Sequence, residues 1–359
     1  IDCENNVFVN MLEIIHLWNI ELLEIGNTIY DYLLNNRYEE INLQRVKFNP
    51  TKDSTLSTKI NLSHIYLEKA YLTRADLRGI LLERGNLKQA DLSEANLYGV
   101  DLSYANMTNV NLYQADLRKA KLYGSLLNSA NLTCAKLNDA GLYMAELEET
   151  NLEDADLKGV NLEKANLKEA NMIKANMENS NLKGADLRGA NLRGANLRRA
   201  NLSNADLNSA ILKESDLSET ILDMINLSEA NLKKVNLYNA QLKGAKLERA
   251  NLEEASLRRV DLRGANLKGA NLNRVDLEEV DLSEADLSEA NLKEVDLSEI
   301  SLESVNLRRA CLNGTIFNES QIEFLENNYD LSGVLISLSK SGEKMSYMDY
   351  RKRQLENVK

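Results

Sequence analysis

Residues 181–210 read NLKGADLRGANLRGANLRRANLSNADLNSA, six copies of one five-residue phrase set end to end. Each phrase is numbered here from its central residue, i, which is Leu182, Leu187, Leu192 and so on. A small residue, Ala185 or Ala190 for example, lies two positions before the next i. Outward in both directions the phrase runs without a slip across Ile60–Ser320, with i at every fifth residue from Leu62 to Phe317, 52 phrases in all. Every i is Leu except Met107, Met172, Met177 and Phe317, and i−2 is small or β-branched apart from Gly85. An α-helix advances about 500° in five residues, so these leucines form no single stripe on it. On a straight strand, successive phrases face opposite sides. A chain that turns a corner in every phrase keeps each i and i−2 inside. It leaves i−1, i+1 and i+2 in water, where Asn, Asp, Ser, Lys, Arg, Glu and Gly stand.

The phrases ADLRG, ANLYG, ADLSE and ANLKE resemble the A(D/N)LXX consensus of the pentapeptide-repeat family, over about 260 of the 359 residues. The resemblance implies an all-β solenoid: a right-handed quadrilateral β-helix with four phrases per coil. Fifty-two phrases then make about 13 coils, and stacking at roughly 4.8 Å gives a rod of roughly 60 Å. Stability would be a sum of nearly equal interfaces between neighbouring coils.

Four segments follow from the pattern. In 1–40, Met11, Ile14, Ile15, Trp18, Leu22, Ile25, Ile29 and Leu33 recur at helical spacing, predicting an N-terminal helical cap broken at Gly26-Asn27. Residues 41–59 hold two phrases in a shifted frame (Ile41–Leu43, Val46–Phe48) and a loop, Asn49–Lys59, with the single proline, Pro50. Residues 60–320 are the β-helix. Residues 321–359 change character: Ile322, Phe324, Leu325 and Tyr329 suggest a short helix, Leu331–Leu338 an apolar strand, and Met345–Val358 a basic helix. A C-terminal cap is expected there, because a bare last coil would template association.

The formal net charge of −12 argues against direct binding to nucleic acid or to an anionic membrane surface. Three scattered cysteines, Cys3, Cys134 and Cys311, suggest a reducing compartment, and the absence of a signal-like or spanning run makes cytoplasmic the expected location. His16 and His64 fall in different segments and assemble no catalytic set. No Cys or His spacing fits a metal site, and RGANLRGANLRRAN (Arg188–Asn201) is repeat rather than phosphate loop, because its glycines open no helix. The chain is expected to be no enzyme and to carry no cofactor or metal.

What remains is surface. Residues 20 apart stack on neighbouring coils, so Arg78, Arg118, Lys158, Arg198 and Arg258 share a column, yet Asp76, Asp116 and Asp156 stand beside three of them and the charges cancel. Between Asp276 and Glu303, eleven acids oppose Lys293 alone. Asp276, Glu278, Glu279, Asp281, Glu284, Asp286 and Glu289 of this collar are candidates for a partner surface. So are Tyr104, Tyr123 and Tyr143, exposed aromatics in a ladder with Met144 beside them. On the last helix, Tyr347, Tyr350, Leu355 and Val358 fall on one face and are candidate contacts for a homodimer through the C-terminal end, as some members of the family form. The expected function is a non-catalytic scaffold for an unidentified protein partner. The alternative also comes from the resemblance: some members are acidic rods that mimic duplex DNA and bind a type II topoisomerase (DNA gyrase). Duplex DNA carries one charge per 1.7 Å, about 35 over such a rod, against −12 for the whole chain.

Overall fold

Every phrase makes the same small structure. The N–H of residue i+3 donates to the carbonyl of i, as Ala95 does to Leu92 at 3.0 Å, closing a tight turn over i+1 and i+2. Residue i+2 is left-handed, with φ near +57° at Tyr104, Glu149 and Arg199. For a residue with a Cβ this costs about 1 kcal/mol, and the bonds between coils hold it in place: N–H groups of i and i+2 donate to carbonyls 19 residues on, as in Leu92→Asn111 at 2.7 Å and Glu94→Tyr113 at 2.8 Å. Parallel bridges join residues 20 apart, so four phrases close one coil.

The computed structural model describes residues 61–326, 329, 331, 333–337 and 344–357, and the chain divides into two compact units, Ile1–Asp186 and Leu187–Lys359. The N-terminal helices, His16, Cys3, the shifted phrases and loop of 41–59, and Val358 lie outside the described residues. In the first unit the bridges run from Asn61↔Leu81 to Asn166↔Asp186, and in the second from Asn191↔Ile211 to Asp296↔Ile316.

In both units the described i and i−2 residues are buried and form the core, apart from the half-buried Ala310. Most polar residues admitted at i−2 satisfy themselves on carbonyls, Ser180 being the exception: Ser125 Oγ donates to Leu122 O (2.9 Å), Thr150 Oγ1 to Leu127 O (2.9 Å) and Thr315 Oγ1 to Leu292 O (2.8 Å). The Asn/Asp choice at i−1 has its own cause. Its Oδ1 accepts the N–H of i+1, as Asn191 does from Arg193 (3.2 Å), which pins the turn. An Asn also donates Nδ2 to the residue one coil earlier: Asn131 to Asn111 (3.0 Å), Asn271 to Asn251 (3.0 Å), Asn291 to Asn271 (2.9 Å). Aspartate fills the first role and cannot fill the second.

That difference marks a place in the second unit where the coil loosens. Asp261 and Asp281 stack, and Arg263 stands on both, 2.6 Å from Asp261 and 3.7 Å from Asp281; their bridge persists. Asp276 and Asp296 also occupy one column, with Glu278 where that arginine would be, and no bridge forms between them, nor between Asp281 and Ser301. The core opens slightly beneath, Val280 being 8% exposed. Glu299 and Ser304 are also the two turn residues of the second unit that are not left-handed.

The C-terminal end follows. Strand β1 (Ile316–Asn318) leads through a 3-10 turn (Glu319–Gln321) into helix α1 (Ile322–Glu326); β2 (Leu335–Ser337), β3 (Lys344–Ser346) and helix α2 (Tyr347–Asn357) follow. β2 lies parallel to β1 and antiparallel to β3. Leu331 and Ile336 are buried five residues apart, and Val334 N–H closes on Leu331 O at 3.1 Å. The apolar run is thus two more phrases, 19 rather than 20 residues past Leu312 and Phe317. α1 lies between them in the chain, and Tyr329 N–H donates to Leu325 O at 2.9 Å. Gln321 substitutes for the missing strand there, its Nε2 donating to Leu297 O (2.9 Å) and Ile300 O (2.7 Å).

Candidate functional site

The three tyrosines come together in the first unit. Tyr104 meets Tyr123 edge-on (centroids 4.9 Å, 83°), and Tyr123 stacks flat on Tyr143 (5.5 Å, 6°). The rings reach each other because Gly124 has no Cβ: one there would stand 3.0 Å from Tyr104 Cδ1 and Cε1. Cations close both ends, Arg84 5.6 Å from the Tyr104 centroid and Lys164 5.5 Å from that of Tyr143. Lys164 Nζ also donates to Tyr143 Oη at 3.2 Å, which raises the lysine's pKa. The neighbouring Tyr123 hydroxyl holds the Tyr104 phenol above its ordinary value. Tyr104 is 46% and Tyr123 37% exposed, with Met144 exposed beside them. A rigid aromatic strip between two cations can bind an apolar or aromatic surface with acidic flanks.

The acidic collar is less bare than its composition suggests. Arg258 lies 2.7 Å from Glu278 and 3.9 Å from Asp276; Arg259 grips Glu279 with two bonds (2.8 and 3.2 Å); Arg263 approaches Asp281 (3.7 Å) and Lys268 approaches Glu289 (3.6 Å). Beyond the seven candidates, Arg274 pairs with Glu294 (2.6 Å) and Lys344 with Asp296 (3.4 Å). The guanidinium bonds hold Glu279 and Glu294 below the ordinary carboxylate range. Asp286 accepts from Asn306 Nδ2 (2.8 Å) and from Ser288 N–H (2.9 Å). Among the described residues, Glu284, Glu299 and Glu303 form no ion pair. Apart from Lys344, the cationic partners sit 18 to 21 residues earlier, one coil back, and that spacing could have found them in the sequence. The basic column cancels as expected, with Arg78 bidentate on Asp76 and Arg118 bidentate on Asp116.

The candidate dimer contacts separate. Tyr350 is buried in the chain's own cap, Tyr347 Oη donates to Glu326 Oε1 (3.2 Å), and Arg351 pairs with the same carboxylate (3.4 Å). Leu355 stays 66% exposed. Cys134 and Cys311 are free thiols. Among the described residues, no cluster of His, Cys, Asp and Glu is arranged to hold a metal ion, and no helix is long and apolar enough to cross a membrane.

Eight copies of the family model described as pentapeptide repeats match the chain, over residues 75–142 and 145–318. The chain belongs to the pentapeptide-repeat family. Among solved structures it is similar to HetL, a pentapeptide repeat protein involved in heterocyst differentiation regulation from the cyanobacterium Nostoc sp. Strain PCC 7120. The identity is 33% over 63% of this chain and 89% of HetL, with a TM-score of 0.29. It is also similar to QnrB1, a plasmid-mediated fluoroquinolone resistance protein, at 16% identity over 65% of this chain and 94% of that one, TM-score 0.40. Rfr23 from the cyanobacterium Cyanothece 51142 is 33% identical over 35% of this chain and 66% of its own, TM-score 0.14. Comparison with curated proteins found no match.

Proposed function

We propose that the chain is a non-catalytic scaffold whose solvent-facing turns present contacts to a protein partner. The tyrosine stack carries this reading. Leucine and alanine fill the interior, so specificity resides in what the turns display, and Tyr104 and Tyr123 are large, ordered and exposed, with the half-buried Tyr143 stacked beside them. Rigid aromatic side chains of this kind dominate binding energy at interfaces, with about 2 kcal/mol or more lost when a central one is truncated. Cross-linking in cells with the intact chain and with Tyr104→Ser, Tyr123→Ser, Tyr143→Ser combined tests it. A partner captured by the first and lost by the second, at equal melting temperature, is the expected result; an unchanged set of cross-links removes the stack from the function.

The reading as an acidic mimic of duplex DNA for a type II topoisomerase has less support, since the acidic collar is laced with arginine. Purified gyrase supercoiling, with and without the chain, is expected to show no effect.

A further inference from the structure

We propose that the gap between the last coil and the cap, within the Leu187–Lys359 unit, takes an extended basic segment of a protein partner, added as a strand beside Ser301–Ser304. A cavity of about 470 Å³ lies there, bounded by residues 298–303 on one side and by Asn318, Gln321 and Phe324 on the other.

Its wall is an unused strand edge. In the regular coils the N–H groups of i and i+2 donate to carbonyls 19 residues on. For Leu302 and Ser304 those residues are Gln321 and Glu323, which lie in the 3-10 turn and α1 and offer no strand. Both amides are without a hydrogen bond among the described residues. Two donors two residues apart on one edge match alternate carbonyls of an extended peptide, the geometry of strand addition. The neighbouring acceptor, Ile300 O, is already taken by Gln321 Nε2, so the edge asks chiefly for acceptors.

Side chains choose the occupant. Ile300 and Leu302 are slightly uncovered at the floor, and Phe324 is exposed at the rim, which suits one apolar side chain. Glu299 and Glu303 line the cavity without an ion pair among the described residues, and no lysine or arginine lines it. Carboxylates on both flanks select lysine or arginine at the outward positions of the added strand and repel acidic segments. The site shares no residue with the tyrosine stack, so either can fail while the other stands.

The probe is the fluorescein-labelled, acetylated and amidated pentapeptide KVRVK, followed by anisotropy on the full chain, with EVEVE and spermine as controls. Saturable binding of KVRVK alone is expected, together with slowed amide exchange at Leu302 and Ser304. Glu299→Gln with Glu303→Gln should weaken it about tenfold or more without moving the melting temperature, since both carboxylates are solvent-facing. Any of four results overturns the proposal: no saturation with KVRVK, an unchanged Kd in the double variant, protection elsewhere than 301–304, or displacement by spermine at equal concentration. The last would mean charge alone, without strand pairing.

Discussion

Gly85 leaves the space that Ile65, one coil earlier in the same column, fills: a Cβ on Gly85 would stand 3.4 Å from Ile65 Cγ2, 3.2 Å from Leu87 Cδ1 and 3.1 Å from Leu82 O. The single exception to the small-or-branched rule at i−2 is therefore a compensation for a large neighbour. Gly85→Ala is expected to destabilise by about 1–3 kcal/mol through overpacking. Placed on Ile65→Ala, the same change should cost at least about 0.5 kcal/mol less, the signature of two residues in contact. Urea melts of the four proteins of this cycle measure it, and strict additivity would leave the Leu82 carbonyl and Leu87 Cδ1 as the cause.

The inward and outward positions are separated by one residue. Leu192 is fully buried and Asn191 half-buried, with its Oδ1 on the Arg193 amide. Leu192→Asp puts an unpaired carboxylate in an apolar interior, a loss expected to exceed about 4 kcal/mol. Asn191→Ala removes a turn bond and should cost about 1 kcal/mol. Thermal melts rank the two, and equal losses would contradict the assignment.

The repeating phrase was legible because its period is incompatible with helix and strand alike, and the core could be named residue by residue. The pairing of the collar was legible too, by counting one coil back from Glu278, Glu279 and Glu294 to Arg258, Arg259 and Arg274; acid counted along the chain hides bonds made across it. The end of the coil was less so. Leu331 and Ile336 keep the five-residue step, but α1 shortens the return to 19 residues, so the frame breaks exactly where the structure continues it. Gln321 reads as an ordinary polar residue until Ile300 presents a carbonyl with no strand to meet, which Gln321 Nε2 takes together with Leu297 O. The contrast between stacked Asn and stacked Asp appears only once residues 20 apart are known to touch.

Acid should weaken the fold through the same ladder of ion pairs. Arginine bonds lower the pKa of Glu94, Glu219, Glu279 and Glu294 from the ordinary 4.5, and those of Asp116 and Asp261 from 3.8. A carboxylate depressed in the folded state binds its proton more readily when unfolded. Its stabilisation is complete above the ordinary values and is lost as pH falls through the folded ones. The melting temperature is expected to be level from pH 7 to about 5 and to drop below about 4.5. Changing the four glutamates to Gln should make the acid limb shallower; an identical limb would assign it to other groups.

Gly124→Ala should break the tyrosine stack without touching a tyrosine. The new Cβ meets the Tyr104 ring at 3.0 Å, and Gly124 has φ +58°, where alanine is strained by about 1 kcal/mol. Tyr104 must swing out, taking the edge-on contact with Tyr123 and leaving Tyr123–Tyr143 intact. Near-ultraviolet circular dichroism, which reports tyrosines held against one another, is expected to weaken while the far-ultraviolet spectrum stays. An unchanged near-ultraviolet band would mean that the ring accommodates the methyl by a small tilt.

Association through the last helix now depends on few residues. Tyr350 is spent inside the cap, and Tyr347 and Arg351 both hold Glu326, so the first turns of α2 fold back on their own chain. Ser346 caps the helix, accepting the Asp349 N–H at 3.1 Å and fixing its direction. Met348 and Leu355 are the large apolar side chains of α2 left exposed, each at 66%. Ending the chain at Lys344 would not test pairing cleanly. It removes Met345 and Ser346 from β3 and bares the edge of β2, and a bare edge itself invites association. Leu355→Ser in the full chain keeps the cap and removes the exposed leucine of the candidate dimer face. Light scattering is expected to give one copy for both proteins at micromolar concentration, because two exposed side chains bury far less than the roughly 1,200 Å² of a stable interface. Two copies for the intact chain and one for the variant would instead establish a dimer joined through α2.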